Sequence, residues 1–148
     1  MKKLFTLLLA ATFFVACNNI KNENESPEAV IESFIKHAQD GGFIKIISQL
    51  NYYSNNPNKT AAEEKQQNLN WFLEMDKKKQ GRLIEYYKEK YKDAVITNSE
   101  KITNWLWEID VKSYDFTGEK TILKDETFQV INIDGNWYRY ISKVSRNQ

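Results

Sequence analysis

The sequence predicts an α+β domain in which N-terminal helices pack on one face of a curved, antiparallel, four-stranded meander sheet. Three observations predict this fold. Apolar residues recur at helical spacing as far as about residue 91, and from residue 95 onward they alternate with polar residues as they do in strands. The pair Asp134-Gly135, which is typical of a two-residue hairpin turn, then precedes the last strand.

The first helix is predicted to begin at Ser26-Pro27-Glu28. Serine is a common N-cap, proline suits the first helical position, and glutamate interacts favourably with the positive end of the helix. Gly41-Gly42 is expected to end this helix, because glycine readily adopts the backbone conformation that follows a helix. The apolar stripe consists of Ala29, Val30, Phe34 and Ala38, widened by Ile31 and Ile35.

Three further segments are predicted to be helical. Residues 43–50 fit two helical turns, although their β-branched content leaves a strand open as an alternative, and residues 51–58 are predicted to form a loop. Thr60 and Glu63 form a capping box that opens a helix expected to end at residues 77–81. The core-facing positions are Leu69, Phe72 and Leu73 or Met75 in that helix, and Leu83, Tyr87 and Tyr91 in the helical stretch that follows.

Four strands are predicted after residue 93. Trp105 and Trp107 share one face of the second strand with Ile109 and Val111, so we expect the two tryptophans to be buried together. The third strand, residues 121–133, changes its apolar phase, which is typical of a β-bulge or strong coiling. The first strand contains Val95, Ile96 and Ile102, a turn region with Gly118 covers residues 114–120, and residues 137–144 form the fourth strand.

The N-terminus resembles a bacterial lipoprotein signal. A basic start precedes an uncharged run of about 12 residues, which is shorter than the roughly 20 that a spanning helix needs. The run ends in FVAC, which is similar to a lipobox, and Cys17 is the only cysteine. We therefore predict a signal peptide over residues 1–16, a Cys17 that carries fatty acyl chains such as palmitate, a flexible tether over residues 17–25 and a single domain over residues 26–148. The alternative is a signal-peptide cysteine that is lost on cleavage.

The charge balance and the export signal limit the partners. Removing residues 1–16 deletes two lysines, so 21 basic residues become 19 against 20 acidic residues, a net charge of −1. A field this weak does not attract nucleic acid, and we predict no nucleic-acid partner. We expect the predicted lipid anchor to hold the chain at the membrane of the bacterial cell envelope. Asn18, where an aspartate commonly signals retention at the inner membrane, favours the outer membrane.

Two stretches of sequence resemble a known group. The opening SPEAVIESFIKHAQDGGFIKIISQL and the ending FQVINIDGNWYRYI are similar to small bacterial lipoproteins of unknown function with a nuclear-transport-factor-two-like, or cystatin-like, domain. The resemblance covers most of residues 26–144 and rests on turns and core positions. It implies a cone-shaped fold in which a curved sheet wraps round the helices and leaves a pocket. Members of that superfamily include enzymes, such as steroid isomerases and dehydratases, and also proteins that bind without chemistry.

Catalytic and metal-binding signatures are weak. His37, the only histidine, has the residue type of a general base, but its place near a helix C-terminus favours an exposed or partly buried structural role. One histidine and one lipidated cysteine do not supply the usual zinc ligands, so we predict neither a metal nor another cofactor. A steroid-isomerase-like site requires a carboxylate base and hydrogen-bond donors in an apolar pocket. The candidates for it are Asp40, Tyr52, Tyr53 and Asp110, and no spacing brings them together.

Aromatic residues are the most informative set in this chain. Amphipathic rings suit a pocket that binds an apolar ligand, and they equally suit an ordinary core or a protein-binding face. The predicted pocket-lining residues are Tyr87, Trp105, Trp107 and Trp71. The basic run Lys77-Lys78-Lys79 with Arg82 is expected to be a solvated helix end, with lipid head groups or an acidic partner as the alternative.

These observations favour a non-catalytic envelope lipoprotein that binds a small apolar or amphipathic ligand in an aromatic-lined cone pocket. Two alternatives stay open. The chain is then either a protein-interaction or inhibitor module of an envelope complex, or a pocket enzyme of the isomerase or dehydratase type.

Overall fold

The computed structural model describes residues 22–116 and 121–142. Cys17, the signal segment and the predicted turn at Gly118 lie outside the described residues. The helices are α1 (Pro27–Gln39), the short α2 (Phe43–Lys45), α3 (Ala61–Glu74) and α4 (Lys77–Tyr91). A π-helical turn (Ile46–Leu50) continues α2, so residues 43–50 are helical, as predicted. The strands are β1 (Asn51–Ser54), β2 (Val95–Lys101), β3 (Leu106–Asp115), β4 (Ile122–Ile133) and β5 (Asn136–Ser142).

The five strands form one mixed sheet in the order β1-β5-β4-β3-β2. The α+β class is confirmed, and the antiparallel meander is present in β2 to β5. The prediction of a purely antiparallel, four-stranded sheet is wrong, because residues 51–54 form β1 and pair in parallel with β5 from Asn51↔Arg139 to Ser54↔Ser142. β1 has only four residues, two of them Asn51 and Ser54, and this composition is typical of loops.

The predicted start signals of the first and third helices are confirmed. The Ser26 side chain accepts a hydrogen bond from the Ala29 N–H, and Pro27 occupies the first turn of α1. Thr60 and Glu63 form the reciprocal capping box of α3. Gly41, after the end of α1, has φ +75°, the left-handed conformation that favours glycine, and an added Cβ would lie only 3.1 Å from Ile84 Cγ2.

The boundary between α3 and α4 differs from the prediction. Residues 77–81 do not end α3; they open α4, and the Asp76 side chain caps this helix by accepting from the Lys79 N–H at 2.9 Å. Three lysines in a first turn oppose the helix dipole, so their charge indicated a C-terminus. Gln80 closes the junction, because its amide donates to the carbonyl oxygens of Phe72 at 2.8 Å and Met75 at 3.0 Å.

The described pairing of β4 with β3 contains no bulge, so the bulge offered as one cause of the change in the apolar pattern of β4 is absent there. The β3–β4 pairing is regular from Leu106↔Ile131 to Asp115↔Ile122, and the described irregularity lies between β2 and β3, at Ile96/Asn98. Val130 and Ile131 are adjacent, so they face opposite sides of the sheet, and both are buried. The sequence pattern therefore reflects a strand that is covered on both faces at this point.

Two apolar clusters hold the domain together. The larger cluster lies between α1 and the sheet and includes the fully buried Phe34, Ile109 and Val130. The smaller cluster consists of Ile47, Tyr53 and Phe72, with Phe43, Leu69, Leu83, Ile84 and Ile141 packed against it. The π-helical turn joins the two clusters, because Ile46 packs into the larger one and Ile47 into the smaller one.

The segment before α1 is bound to the domain where the structure describes it. The Asn24 carbonyl oxygen accepts from the Trp137 N–H at 3.0 Å, and the Asn24 side chain donates to the Trp137 carbonyl oxygen. Glu23 Oε1 lies 2.9 Å from Nε2 of His37. The predicted flexible tether extended to residue 25, whereas contact with the domain begins at Glu23.

Replacing Gly81 by alanine tests the corrected course of α4. Gly81 lies inside the helix, and no atom beyond its chain neighbours and the backbone of the same helix lies within 4 Å of the place that an added Cβ would take, so the substitution removes backbone freedom without a clash. We expect Gly81→Ala to raise the free energy of unfolding by about 0.5–1 kcal/mol in urea denaturation. Gly41→Ala is the control and should lower it. A destabilised Gly81→Ala would instead indicate a helix end at residue 81.

Candidate functional site

A concavity in the described part of the chain has a volume of about 610 Å³. It lies where α2, the π-helical turn, α3 and α4 meet strands β1 and β5. Pockets that bind small molecules typically measure about 300–1,000 Å³, so the size fits such a ligand. Another concavity, of about 570 Å³, is more open and lined mainly by polar residues near Asn22 and Tyr138.

One side of this cavity is apolar. Phe43 and Phe72 pack in a tilted arrangement with ring centroids 4.8 Å apart, and Phe43 meets Tyr87 edge to face at 5.0 Å. Trp71 lines the cavity from α3 and is 54% exposed, so its ring stands at the solvent side. The apolar and aromatic lining residues are Phe43, Ile46, Ile47, Tyr53, Trp71, Leu83, Tyr87 and Ile141.

The other side is rich in amides. These residues come from β1, the loop after it and the first half of α3: Asn51, Asn55, Asn56, Gln67 and Asn68. Asn55 Oδ1 is buried and has no hydrogen-bond partner in the described part of the chain. An unpaired buried acceptor is costly, so a ligand that donates an N–H or O–H at this point would be stabilised.

Glu64 organises the amide-rich side and is itself buried. Its carboxylate accepts from the backbone N–H of Asn55 at 2.9 and 3.0 Å and from that of Asn56 at 2.6 Å. Burial opposes ionisation of this carboxyl, but the backbone hydrogen bonds from Asn56 and Asn55 outweigh it and hold the pKa of Glu64 below its ordinary value. Glu64 therefore acts as an ionised anchor for the loop, which makes it a poor proton acceptor for catalysis.

Arg139 supplies the positive charge of the cavity. Its guanidinium carbon lies 4.1 Å from the ring centroid of Phe34, which is a cation–π contact, and its Nε donates to Asn51 Oδ1 at 2.8 Å. The Asn51 amide is buried, and its Nδ2 donates to the Tyr53 hydroxyl oxygen at 2.9 Å. Burial raises the pKa of Tyr53 above its ordinary value, so this hydroxyl stays neutral.

The predicted pocket residues fall into two pairs. Tyr87 and Trp71 line the cavity, whereas Trp105 and Trp107 are not among its described lining residues. Trp105 precedes β3 and is 57% exposed, so the expectation that Trp105 and Trp107 are buried together is wrong. Trp107 is half-buried and meets Trp137 edge to face at 6.5 Å. The alternating sequence pattern includes Trp105, which lies one position before β3 begins.

The candidate catalytic residues are not brought together. Of Asp40, Tyr52, Tyr53 and Asp110, only Tyr53 lines the cavity. Tyr52 packs near Tyr138 and Tyr140 on the opposite side of the sheet, and Asp110 accepts from Thr127 Oγ1 at 2.6 Å. His37 is buried rather than exposed at the helix end, and it is held by Glu23 outside this cavity.

Metal sites and membrane-spanning helices are not found among the described residues. They contain no group of three or more His, Cys, Asp or Glu side chains placed to hold a metal ion. Across residues 22–116 and 121–142, no helix is long and apolar enough to cross a membrane. The basic run lies on the exposed first turns of α4, where Lys79 pairs with Asp76 at 3.4 Å.

The residues that sequence reasoning missed are Arg139, Asn51 and Glu64. Arg139 shares one face of the last strand with Trp137 and Ile141. A charged residue between two apolar residues on the same face was therefore a detectable sign of an inward-facing arginine. Asn51 and Glu64 had no such signal, because one lies in a segment with loop composition and the other in an ordinary first helical turn.

Comparisons with known proteins give little further information. No family model and no curated protein matches this chain. Among solved structures, it is similar to a SEC-C motif containing protein from Rhodopseudomonas palustris, with a TM-score of 0.47, 16% identity and coverage of 79% of this chain and 77% of that one. It is also similar to an NTF-2-like protein of unknown function from Shewanella oneidensis, with a TM-score of 0.37, 11% identity and coverage of 77% and 93%. At these values neither similarity assigns the chain to a family or indicates a function.

Replacing Glu64 by glutamine tests its role as an ionised anchor. A group whose pKa is lower in the folded state than its ordinary value of 4.5 stabilises the fold above that pH and loses this effect as the pH falls. We expect Glu64→Gln to lower the free energy of unfolding by roughly 1–3 kcal/mol at pH 7. The difference from the parent protein should shrink when urea denaturation is repeated below pH 4.5. Glu74→Gln, on the exposed side of α3, is the control; a difference that does not vary with pH would contradict the assignment.

Proposed function

We propose that this protein is a non-catalytic lipoprotein of the bacterial cell envelope, anchored through Cys17, whose cavity binds a small apolar or amphipathic ligand. The observation that carries this proposal is the 610 Å³ cavity, with an apolar aromatic side facing an amide-rich side. Such a combination buries an apolar body and fixes it by a few polar contacts. The cystatin-like cone suggested by the sequence resemblance, and the outer membrane as the site of anchoring, belong to the same proposal.

The polar groups of the cavity support binding over catalysis. Its described carboxylate, Glu64, is occupied by three backbone hydrogen bonds, and the single histidine pairs with Glu23 elsewhere. A general base must reach the proton that it removes and hold it at the working pH. Neither group meets both requirements in this cavity.

A protein-interaction module is a second candidate, and one observation favours it. Trp105 is 57% exposed and Ile102 is 45% exposed, and both lie at the connection between β2 and β3. Tryptophan is enriched at the energetic centres of protein interfaces. Co-purification of a stable envelope protein that is lost in Trp105→Ala would support this candidate over the ligand proposal.

Blocking the cavity tests the ligand proposal. Leu83 lines the cavity, so Leu83→Trp should fill part of it, whereas the exposed Leu73 on α3 offers a matched control in Leu73→Trp. We expect native mass spectrometry of envelope-purified protein to show a reproducible bound small molecule in the parent and in Leu73→Trp, and little in Leu83→Trp.

Overpacking costs about 1–3 kcal/mol, so circular dichroism must first show that both variants are folded. A parent protein that carries no small molecule, or folded variants with equal occupancy, would contradict ligand binding in this cavity.

Replacing Cys17 by alanine tests the anchor. Alanine has no thiol to form the thioether that would carry the lipid, and each buried CH₂ contributes about 0.8 kcal/mol to membrane binding. We expect metabolic labelling with an alkyne palmitate analogue to label the parent protein and not Cys17→Ala. We also expect globomycin treatment to increase the amount of unprocessed precursor of the parent protein. Labelled Cys17→Ala, or an unlabelled parent in a host that processes lipoproteins, would refute the anchor.

A further inference from the structure

We infer that the ligand of this cavity carries an anionic oxygen group, a carboxylate or a phosphate, which binds to Arg139. This inference rests on the proposed ligand-binding function and specifies the chemical class of the ligand as an amphipathic acid. It depends on three properties of Arg139: its place in the cavity, its fixed orientation and a charge that no described acidic residue neutralises.

The orientation of Arg139 is fixed from two directions. The ring of Phe34 covers one face of the guanidinium at 4.1 Å, with Phe128 at 5.5 Å, and Phe34 is completely buried. Asn51 Oδ1 accepts from Nε at 2.8 Å and so holds the guanidinium from a second direction. Since an arginine has five N–H donors and Nε uses one of them, the four donors of the two Nη atoms have no protein partner in the described part of the chain. A fixed fork of donors matches the geometry of a carboxylate or phosphate.

The charge of Arg139 has no counter-charge in residues 22–116 and 121–142. No aspartate or glutamate of these ranges forms an ion pair with it, although other cations of the domain find partners, such as Lys90 with Glu126 at 2.9 Å. The other charged lining residue, Glu64, directs its oxygens to the backbone of Asn55 and Asn56. A half-buried cation without a counter-charge favours an anionic ligand.

Because Asn51 is uncharged, it contacts Arg139 without neutralising its positive charge, which stays available to a ligand. It is buried, and it contacts Arg139 through its oxygen and Tyr53 through its nitrogen. An aspartate at this position would accept from the same Nε, and the Tyr53 hydroxyl could turn to donate to it, so the network would persist with the charge of Arg139 cancelled. Asn51→Asp is therefore a nearly isosteric variant that removes the anion site and keeps the cavity.

The apolar side determines the rest of the ligand. Phe43, Leu83 and Tyr87 lie in the same cavity as Arg139 and offer rings and a branched side chain to a hydrocarbon body. An acid with an apolar chain satisfies both sides, whereas an inorganic anion alone would leave the apolar side exposed to water.

The test compares eight-carbon probes that differ only in the head group. Isothermal titration calorimetry of the purified full chain measures octanoate, octyl phosphate, octanol and octylammonium. We expect octanoate or octyl phosphate to bind at least about tenfold more tightly than octanol, and octylammonium to bind most weakly. The tighter of the two acids identifies the head group as carboxylate or phosphate.

Two variants and a control complete the test. In Asn51→Asp and in Arg139→Gln, the preference for the acids over octanol should fall by about tenfold, while the affinity for octanol changes less than about threefold. Arg82→Gln, which removes an exposed arginine on α4, should leave all affinities unchanged. The octanol affinity also shows that the cavity is intact in each variant.

The outcomes separate the inference from the proposed function. Equal binding of acids and octanol by the parent, or an equal loss of both in Asn51→Asp, overturns the anion site and leaves the ligand-binding cavity standing. Failure of the parent to bind any of the four probes overturns both.

Discussion

The ring of Phe34 is the contact on which the arrangement of this domain depends. It comes from the middle of α1 and is completely excluded from solvent. It meets Tyr91 of α4 edge to face at 5.0 Å, Phe128 of β4 at 5.3 Å and the guanidinium of Arg139 at 4.1 Å. Burying one such ring contributes about 1.5–3 kcal/mol, and the edge-to-face geometry adds to this. One side chain thus fixes α1, α4 and the sheet against each other, and it also forms the surface on which the cation of the cavity rests.

The short parallel strand β1 is the second constraint, because it determines where the cavity forms. A parallel pair cannot be joined by a tight turn, so the chain between β1 and β5 must make a long excursion through α3, α4 and three strands. That excursion brings α3 alongside β1 and leaves a space between the helices and the edge of the sheet. The register Asn51↔Arg139 places the buried amide beside the arginine, so the pairing that adds the fifth strand also builds the polar corner of the site.

The sequence predicted the features that have strong local causes. The caps at Ser26 and Thr60, the glycine exit of α1 and the Asp134-Gly135 turn were all predictable, because each depends on a few adjacent residues. In the turn, Asp134 at φ +51° and Gly135 at φ +87° have the left-handed conformations that this type of hairpin requires. The larger features were missed where tertiary contacts override local preference. Lys77 to Lys79 begin α4 although their charge opposes the helix dipole, because Asp76 caps the start of α4 and Gln80 hydrogen-bonds to the end of α3. β1 forms in a loop-like sequence because β5 supplies its hydrogen-bonding partner.

The same distinction applies to the candidate site. Aromatic content indicated a pocket, and Tyr87 and Trp71 do line it, but single residues could not be assigned from alternation alone, since Trp105 lies outside the strand whose pattern it continues. The polar contacts of the site connect residues far apart in the chain, such as Asn51 with Arg139, and no spacing rule relates them.

The choice of asparagine at position 51 has an energetic consequence. A carboxylate there would neutralise Arg139, but two charges would then be taken from water, and their attraction often only offsets that loss. An amide fixes the guanidinium with a single hydrogen bond, and the rings of Phe34 and Phe128 stabilise the cation from one side. Arg139 keeps its charge, its orientation and the donors of its two Nη atoms. An acid that enters the cavity would therefore meet an arginine side chain that is already ordered in the folded protein. Because an arginine that is already ordered loses little further entropy on binding, its fixed orientation favours the proposed anionic ligand.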